Sequence, residues 1–176
     1  MGIDIETERL FLRELTPGDV NALYAVLGDS DIMRHYPYTF DMDRVKRWID
    51  RNISRYEVFG FGLWAVCLKE TGEMIGDCGV TMQNIDGDIL PEIGYHIAKA
   101  HQRKGYAGEA ARACRDWCFF NTPFNRIYSY MKNDNIPSLA TARSNGMSLI
   151  KEFTDSEGEQ SAAYCITRGE WLEMIE

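Results

Sequence analysis

The sequence predicts a single α/β (α+β) domain that spans residues 1–176. Apolar residues follow helical spacing in the early part of the chain and then alternate with a period of two in the middle. A strand, a helix and a further strand are expected at the centre, and short strands with turn residues close the chain. We find no repeat, low-complexity tract or linker in the sequence. Its length suits one hydrophobic core rather than two domains.

The first elements are a strand and two helices. Leucines alternate with arginines over "TERLFLREL", which predicts a strand from Thr7 to Glu14. A helix is expected to begin at the N-cap Thr16, which a proline follows, and to stop at Gly28. A second amphipathic helix is expected from about Asp41 to Tyr56.

Strands dominate the remainder of the chain. "FGLWAVCL" and "MIGDCGVTM" predict a hairpin, "QNIDGDILP" a loop, and "EIGYHIA" a short strand from Glu92 to Ala98. The next helix carries small residues and ends near Asn121. After it we expect the strand "RIYSYM", the short helix "PSLATARSNG", and the strands "SLIKEFT" and "SAAYCITR" around an exposed turn.

Charge and cysteine content limit the class of protein. Nineteen basic and 27 acidic side chains give a net charge of −8, which disfavours nucleic acid and membrane as partners. Such a charge attracts cationic small molecules or basic peptides, although it also serves solubility alone. The five cysteines are unclustered and the three histidines have no ligand spacing, so we expect buried free thiols and no metal. With neither a signal peptide nor a membrane span expected, the chain is expected to be cytoplasmic.

The stretch "HQRKGYAGEA", residues 101–110, carries the main chemical signal. It places glycines and basic side chains between a predicted strand and the start of a helix, where unpaired backbone N–H groups and the helix dipole favour an anion. A pyrophosphate fits this turn, whereas the spacing matches neither a P-loop nor the dinucleotide fingerprint. A plain glycine-containing turn is the alternative interpretation.

Four segments in the same order resemble the GNAT superfamily of N-acetyltransferases, in particular its RimJ/RimL-like branch. They are "TERLFLRELTPGDVNALYAVLGDSDIMRHYP", "EIGYHIAKAHQRKGYAGEA", "NDNIPSLATARSNGM" and "YCITRGEWLE". The resemblance implies a mixed, mostly antiparallel sheet of about six to seven strands, flanked by helices and splayed around the cofactor. It also implies transfer of an acetyl group from acetyl-CoA to a primary amine, by direct attack within a ternary complex.

The resemblance also implies the residues that bind acetyl-CoA. Backbone along one strand would pair with the pantetheine arm, the glycine turn would bind the pyrophosphate, and an Asn-x-x-Ser pair would approach the thioester. The residues are His96, Ile97, Ala98, Gln102, Arg103, Lys104, Gly105, Tyr106, Ala107, Gly108, Glu109, Asn135 and Ser138. For Asn135, a role as the N-cap of a helix is a sufficient alternative.

Two residues are the candidates for catalysis. Glu92 would act as the base through a water, or would be no more than a carboxylate at a strand end. The tyrosine that the family uses to reprotonate the thiolate is replaced by Ala142, so Ser138 is the substitute candidate. A backbone N–H near Ile97 would stabilise the oxyanion. The aromatic residues of "RHYPYTF", residues 34–40, would either stack on the amine or pack over the sheet.

The acceptor is expected to be the N-terminus of a peptide or a small amine, because an α-amine is partly neutral at pH 7 and a lysine amine is not. Two other functions remain open at this stage. One is a non-catalytic module that binds or senses acyl-CoA, and the other is an oligomerising structural domain with a vestigial groove. The protein is expected to be a monomer or a homodimer.

Overall fold

One eight-stranded sheet, in the order β1-β2-β3-β4-β5-β6-β8-β7, forms the frame of the computed structural model, which describes residues 3–176. All neighbouring strands are antiparallel except β5 and β6. The strands are β1 Asp4–Glu6, β2 Leu10–Arg13, β3 Leu63–Leu68, β4 Met74–Ile85, β5 Asp88–Ile97, β6 Arg126–Lys132, β7 Ser148–Thr154 and β8 Gln160–Thr167. The helices are α1 Val20–Leu27, α2 Met42–Phe59, α3 Tyr106–Asn121, α4 Ile136–Ser144 and α5 Arg168–Ile175.

The predicted fold class is confirmed, with one strand more than expected. The additional strand, β1, pairs with β2 and buries only Ile5, so three residues gave too short a pattern to detect. Met1 and Gly2 of the predicted domain lie outside the described residues.

Local capping explains where the early helices begin and end. A short 3-10 turn, Pro17–Asp19, precedes α1, and the carboxylate of Asp19 accepts the backbone N–H of Thr16 at 2.7 Å. The carboxylate of Asp41 accepts the backbone N–H of Arg44 at 2.7 Å and caps α2. This helix runs one turn beyond the predicted Tyr56, because it ends only at Gly60, whose φ is +77°.

The prediction that "QNIDGDILP" forms a loop is wrong. Its residues continue β4 and β5 as a long hairpin, in which Gln83 lies opposite Leu90. Only Asp86 and Gly87 form the turn, with φ of +52° and +93° respectively. Positive φ at both positions is typical of a type I′ turn, for which Asp-Gly is a favoured pair. The signal was therefore present in the sequence, but the polar residues around it obscured the strands.

The sheet separates two layers of helices. Helices α1 and α2 cover one face, where Leu23, Val45 and Ile49 pack against Ala65 and Cys67 of β3. Helices α3, α4 and α5 cover the other face, and their core cluster includes Cys114, Ala142 and Trp171. All five cysteines are free and buried, as predicted.

The terminal helix α5 was not predicted. It is short, and its start carries a capping box in which the Thr167 hydroxyl and the Glu170 carboxylate each bind the backbone N–H of the other residue. The spacing Thr-x-x-Glu is typical of such a helix start. Trp171 is buried and packs the helix against the sheet.

The sheet opens between β5 and β6. These strands are paired only at Glu92 and Tyr128, and the Ser129 hydroxyl donates to the carbonyl of Ile93 at 3.0 Å beside that pair. Beyond it, β5 continues to Ile97 while paired with β4 alone. The opening gives backbone groups of β5 no partner strand, and it directs the chain toward the turn that begins α3.

Candidate active site

The glycine-bearing turn connects the end of β5 to α3. The Gln102 side-chain amide donates to the carbonyl of Ile97 at 3.0 Å, which ties the turn to the open edge of the strand. Arg103 and Gly105 have φ of +61° and +84°, and Gly105 is the N-cap of α3. The left-handed N-cap leads directly into the first backbone N–H groups of a 16-residue helix. These groups lack helical partners, which favours an anion there, and binding of pyrophosphate by this turn stays a prediction.

A side chain that the sequence analysis missed, Arg9, braces this turn from β2. Its guanidinium donates to the carbonyl of Lys104 at 2.9 Å and to Glu109 at 2.7 Å, and it lies 4.5 Å from the centre of the Tyr106 ring. Burial opposes ionisation of Glu109, but hydrogen bonds from Thr7 and Arg9 outweigh it and lower the pKa of that carboxyl. The Glu109 carboxylate therefore faces the sheet edge and supports the turn.

Two further residues that were not predicted lie beside the first turn of α3. A Cβ atom at Gly108 would be 3.3 Å from the Arg112 guanidinium and 3.7 Å from the Ser144 hydroxyl. The glycine thus leaves open the space between a cation and a hydroxyl. Arg112 follows Gly108 by four residues, so helical spacing could have indicated it.

His96 belongs to a buried chain of hydrogen bonds on the α2 face of the sheet. Its Nδ1 lies 2.7 Å from Oδ1 of Asp77, and its Nε2 lies 2.9 Å from the hydroxyl of Tyr36. The indole N–H of Trp48 donates to the other Asp77 oxygen at 2.9 Å. The prediction that His96 lies along the cofactor stays a prediction, but its imidazole is directed away from the turn and toward α2.

Burial shapes the polar members of this hydrogen-bond chain. It raises the pKa of Tyr36 well above its ordinary value, so the hydroxyl beside Nε2 of His96 stays protonated. Asp77 has no exposed surface, and each of its two oxygens has a hydrogen-bond partner, which offsets the cost of burying this side chain.

We expect Trp48→Phe to lower the free energy of unfolding by about 1.5–3 kcal/mol, because Oδ2 of Asp77 loses its donor. A double-mutant cycle with Asp77→Ala, measured by denaturant unfolding, checks this. The loss should be much smaller in the Asp77→Ala background. Equal losses in both backgrounds would contradict the hydrogen-bond chain.

Glu92 lies where β5 and β6 part, on the same face of β5 as Gly94 and His96. A Cβ atom at Gly94 would be 3.2 Å from Oε2 of Glu92, so the glycine leaves room for this carboxylate. Burial raises the pKa of Glu92 to about 8, and the charge of Arg55 only partly opposes the rise. Glu92 is therefore mostly protonated at pH 7 in the free protein, and it ionises within the range in which a general base operates.

The Asn-x-x-Ser pair lies at the start of α4. The Asn135 side chain accepts the backbone N–H of Ser138 at 3.4 Å, so it caps the helix, as the alternative interpretation required. Ala142, at the position of the family's tyrosine, is buried.

Tyr95, which the sequence analysis did not single out, donates its hydroxyl to the carbonyl of Ser138 at 3.2 Å. Its burial raises the pKa of this tyrosine to about 12.

The aromatic segment 34–40 walls the α2 side of the opening. Phe40 is buried, and its ring centre lies 5.4 Å from that of Trp48 and 5.9 Å from that of Tyr36. Tyr38 is 41% exposed, and the Arg44 guanidinium lies 4.0 Å from the centre of its ring. The segment therefore packs over the sheet, and stacking on the amine stays a prediction.

Two absences hold for the described part of the chain. Within residues 3–176, His, Cys, Asp and Glu side chains form no group of three or more that could hold a metal ion. In the same range, no helix combines the length and apolar character needed to cross a bilayer.

Comparison with known proteins identifies the family. A family profile described as "Acetyltransferase (GNAT) domain" matches residues 9–148. The uncharacterized protein YkkB of Bacillus subtilis strain 168 is 34% identical over 146 residues, which cover 82% of this chain and 85% of that protein. An acetyltransferase from Agrobacterium tumefaciens strain C58 superposes with a TM-score of 0.80 at 28% identity, covering 94% of this chain and 95% of that chain.

A third comparison concerns the fold alone. The RimL ribosomal L7/L12 alpha-N-protein acetyltransferase, solved in complex with coenzyme A, superposes with a TM-score of 0.79 at 20% identity. The superposition covers 94% of this chain and 98% of that chain. With the profile spanning most of its length and the same sheet in solved acetyltransferases, the chain belongs to the GNAT family of acetyl-CoA-dependent N-acetyltransferases.

Proposed function

We propose that the protein transfers the acetyl group of acetyl-CoA to a primary amine, either the N-terminus of a peptide or a small amine of lowered pKa. The observation that carries this proposal is the path along the backbone from the β5–β6 opening at Glu92, through the end of β5, to the left-handed N-cap at Gly105. Backbone groups without a partner strand line one end of the path, and an anion-binding helix start forms the other. This shape suits a long ligand with a diphosphate at one end.

Acetyl-CoA supplies the reaction with an activated acetyl thioester. In our proposal the turn from Gln102 to Gly108 and the first turn of α3 hold the pyrophosphate. His96 and Ile97 at the end of β5, with Ala98 just beyond it, align the pantetheine arm. Arg112 and Ser144 lie close enough to Gly108 to add contacts to a phosphate. At the other end, Asn135 and Ser138 approach the thioester, and a backbone N–H near Ile97 stabilises the oxyanion.

Glu92 is the proposed base. An amine must be neutral to attack, and its nitrogen must lose a proton as the C–N bond forms. Glu92 accepts that proton through a water once the carboxyl has ionised. The pKa of about 8 matches this task, because a carboxylate of ordinary pKa is a weaker proton acceptor. An α-amine needs little help, since its pKa is about 7.7–8.0, whereas a lysine amine near 10.4 requires about 3.4 kcal/mol more for deprotonation at a given pH.

Ser138 is the proposed route by which the leaving thiolate regains a proton. Its hydroxyl is a weak acid, so it relays a proton rather than supplying one from its own ionisation. We therefore expect Ser138→Ala to lower kcat by no more than about a hundredfold, within the range of a single proton-transfer group. Steady-state kinetics with acetyl-CoA check the prediction, and Ser148→Ala is the control, because it removes an exposed hydroxyl from the edge strand β7. A complete loss with cofactor binding intact, or no change at all, would contradict this role.

A module that only binds or senses acyl-CoA remains the alternative, because Ala142 removes the family's tyrosine. Release of free coenzyme A from acetyl-CoA in the presence of a panel of amines distinguishes the two. If the protein is an acetyltransferase, we expect release of free coenzyme A that depends on the amine, together with thermal stabilisation by acetyl-CoA. Stabilisation without release for any amine would favour the sensing module.

A further inference from the structure

Helix α2 carries a row of arginines that have no ion-pair partner among the described residues. Arg44, Arg47 and Arg51 follow one another at spacings of three and four, so they share one side of the helix. None of them forms an ion pair within residues 3–176, and their guanidinium groups make no hydrogen bond to described residues. This is unexpected in a chain with a net charge of −8, where carboxylates are abundant.

The three arginines line a cavity of about 220 Å³, here called the arginine pocket. Its walls are Tyr38, Phe40, Arg44, Arg47, Trp48 and Arg51. The Arg44 guanidinium lies 4.0 Å from the centre of the Tyr38 ring, which holds the cation in place without neutralising it. Guanidinium groups bind carboxylates and phosphates through charge-assisted hydrogen bonds, so a pocket lined by three of them favours an anion.

The arginine pocket adjoins the proposed acceptor site. Trp48 forms one of its walls, and the same indole donates to Asp77 and packs 5.8 Å from the ring centre of His96. His96 and Glu92 share one face of β5. Further along α2, Arg55 lies near enough to Glu92 to affect the pKa of its carboxyl. Arg55 follows Arg51 by four residues, so the row of arginines extends along α2 from the arginine pocket toward Glu92.

We propose that the arginine pocket binds an anionic group, a carboxylate or a phosphate, carried by the acceptor amine. The proposal rests on the proposed acetyl transfer, and it narrows the acceptor to amines with an acidic substituent a short distance away. The net charge of −8 suggests a cationic partner, whereas the arginine pocket favours an anionic one, because three positive side chains line it. The cationic walls would attract such an acceptor and repel a basic peptide.

Matched acceptor peptides test this proposal. One pair differs by Glu against Gln at the second residue, and the other by phosphoserine against serine, so the two arms distinguish a carboxylate from a phosphate. In the parent protein we expect kcat/KM to be about 10- to 100-fold higher for the charged member of at least one pair. The preference should decrease with added salt.

The variants assign the preference to the pocket. The double variant Arg47→Gln, Arg51→Gln should lose most of it, whereas Lys46→Gln should keep it. Lys46→Gln is the matched control, because it removes a cation from the same helix. The Lys46 side chain is paired with Asp43 and lies outside the arginine pocket. A parent without preference for either charged peptide, or an equal preference in the double variant, would overturn the proposal.

Binding separates this inference from the proposed function. Calorimetric titration of the same peptides in the presence of coenzyme A requires no turnover. If no peptide is acetylated but the charged peptides bind more tightly through Arg47 and Arg51, acetyl transfer fails and the anion site stands. If peptides are acetylated and neither rate nor binding depends on their charge, the anion site fails and acetyl transfer stands. If the charged peptides neither bind nor react better than their neutral partners, the anion site is likewise refuted.

Discussion

Replacing Glu92 with glutamine is expected to lower kcat by about 10²- to 10⁴-fold, the usual contribution of a general base. In the parent, activity should rise with pH through about 8, where the Glu92 carboxyl ionises. The acceptor for this measurement is an amine whose own pKa lies well below 7, so that only the enzyme titrates. The rise should be absent in Glu92→Gln. An unchanged pH profile in that variant would show that another group is the base.

Stability offers a second readout of the same carboxyl. Its pKa is raised from 4.5 to about 8 in the folded protein, so the native state holds a proton that the unfolded chain has released between these values. Stability from this group is therefore complete below about pH 4.5 and is lost as pH rises through about 8. Glu92→Gln should remove this part of the decline. Denaturant unfolding of both proteins from pH 5 to 9 measures it, and a parallel decline in the two would contradict the assigned pKa.

Gly105→Val is expected to abolish stabilisation by acetyl-CoA. A β-branched residue is strained at φ of +84°, and its Cβ would lie 3.3 Å from the Arg9 guanidinium that braces the turn. At a ligand concentration about 100 times Kd, binding contributes about 2.7 kcal/mol, which should raise the Tm of the parent by roughly 5–11 °C. The variant should show no rise at that concentration.

Gly72→Val is the matched control for that experiment. Gly72 also has a positive φ, +74°, and nothing lies within 4 Å of the position its Cβ would take. It lies between β3 and β4, away from the turn that begins α3. The control should lose comparable stability and keep the full response to acetyl-CoA. A response in Gly105→Val as large as in the control would refute the assignment of the turn.

Much of the fold could be predicted from local sequence patterns. The strands Ser148–Thr154 and Arg126–Lys132 and the helix ending at Asn121 follow directly from periodicity and capping. Where the pattern was short or polar it failed, as at β1 and in the long β4–β5 hairpin. In that hairpin the Asp-Gly turn carried the information, and the surrounding polar residues masked it.

The geometry of the candidate site could be predicted where one segment forms it, but not where distant segments meet. The turn around Gly105 was expected because glycines and a helix start adjoin in the sequence, and the structure has a left-handed N-cap there. Arg9 could not be found in this way, because its partner Glu109 is 100 residues away. The same holds for the contact of Trp48 with Asp77, since only the packing of α2 on the sheet brings them together.

Mass spectrometry of one peptide tests the central claim most directly. The peptide has a free N-terminus and an internal lysine, and it is incubated with the protein and acetyl-CoA at pH 7. We expect a single acetyl group on the α-amine, because that amine is deprotonated far more often than the lysine side chain. Acetylation of the lysine in preference to the N-terminus, or no acetylation of any amine by protein that binds acetyl-CoA, would contradict it.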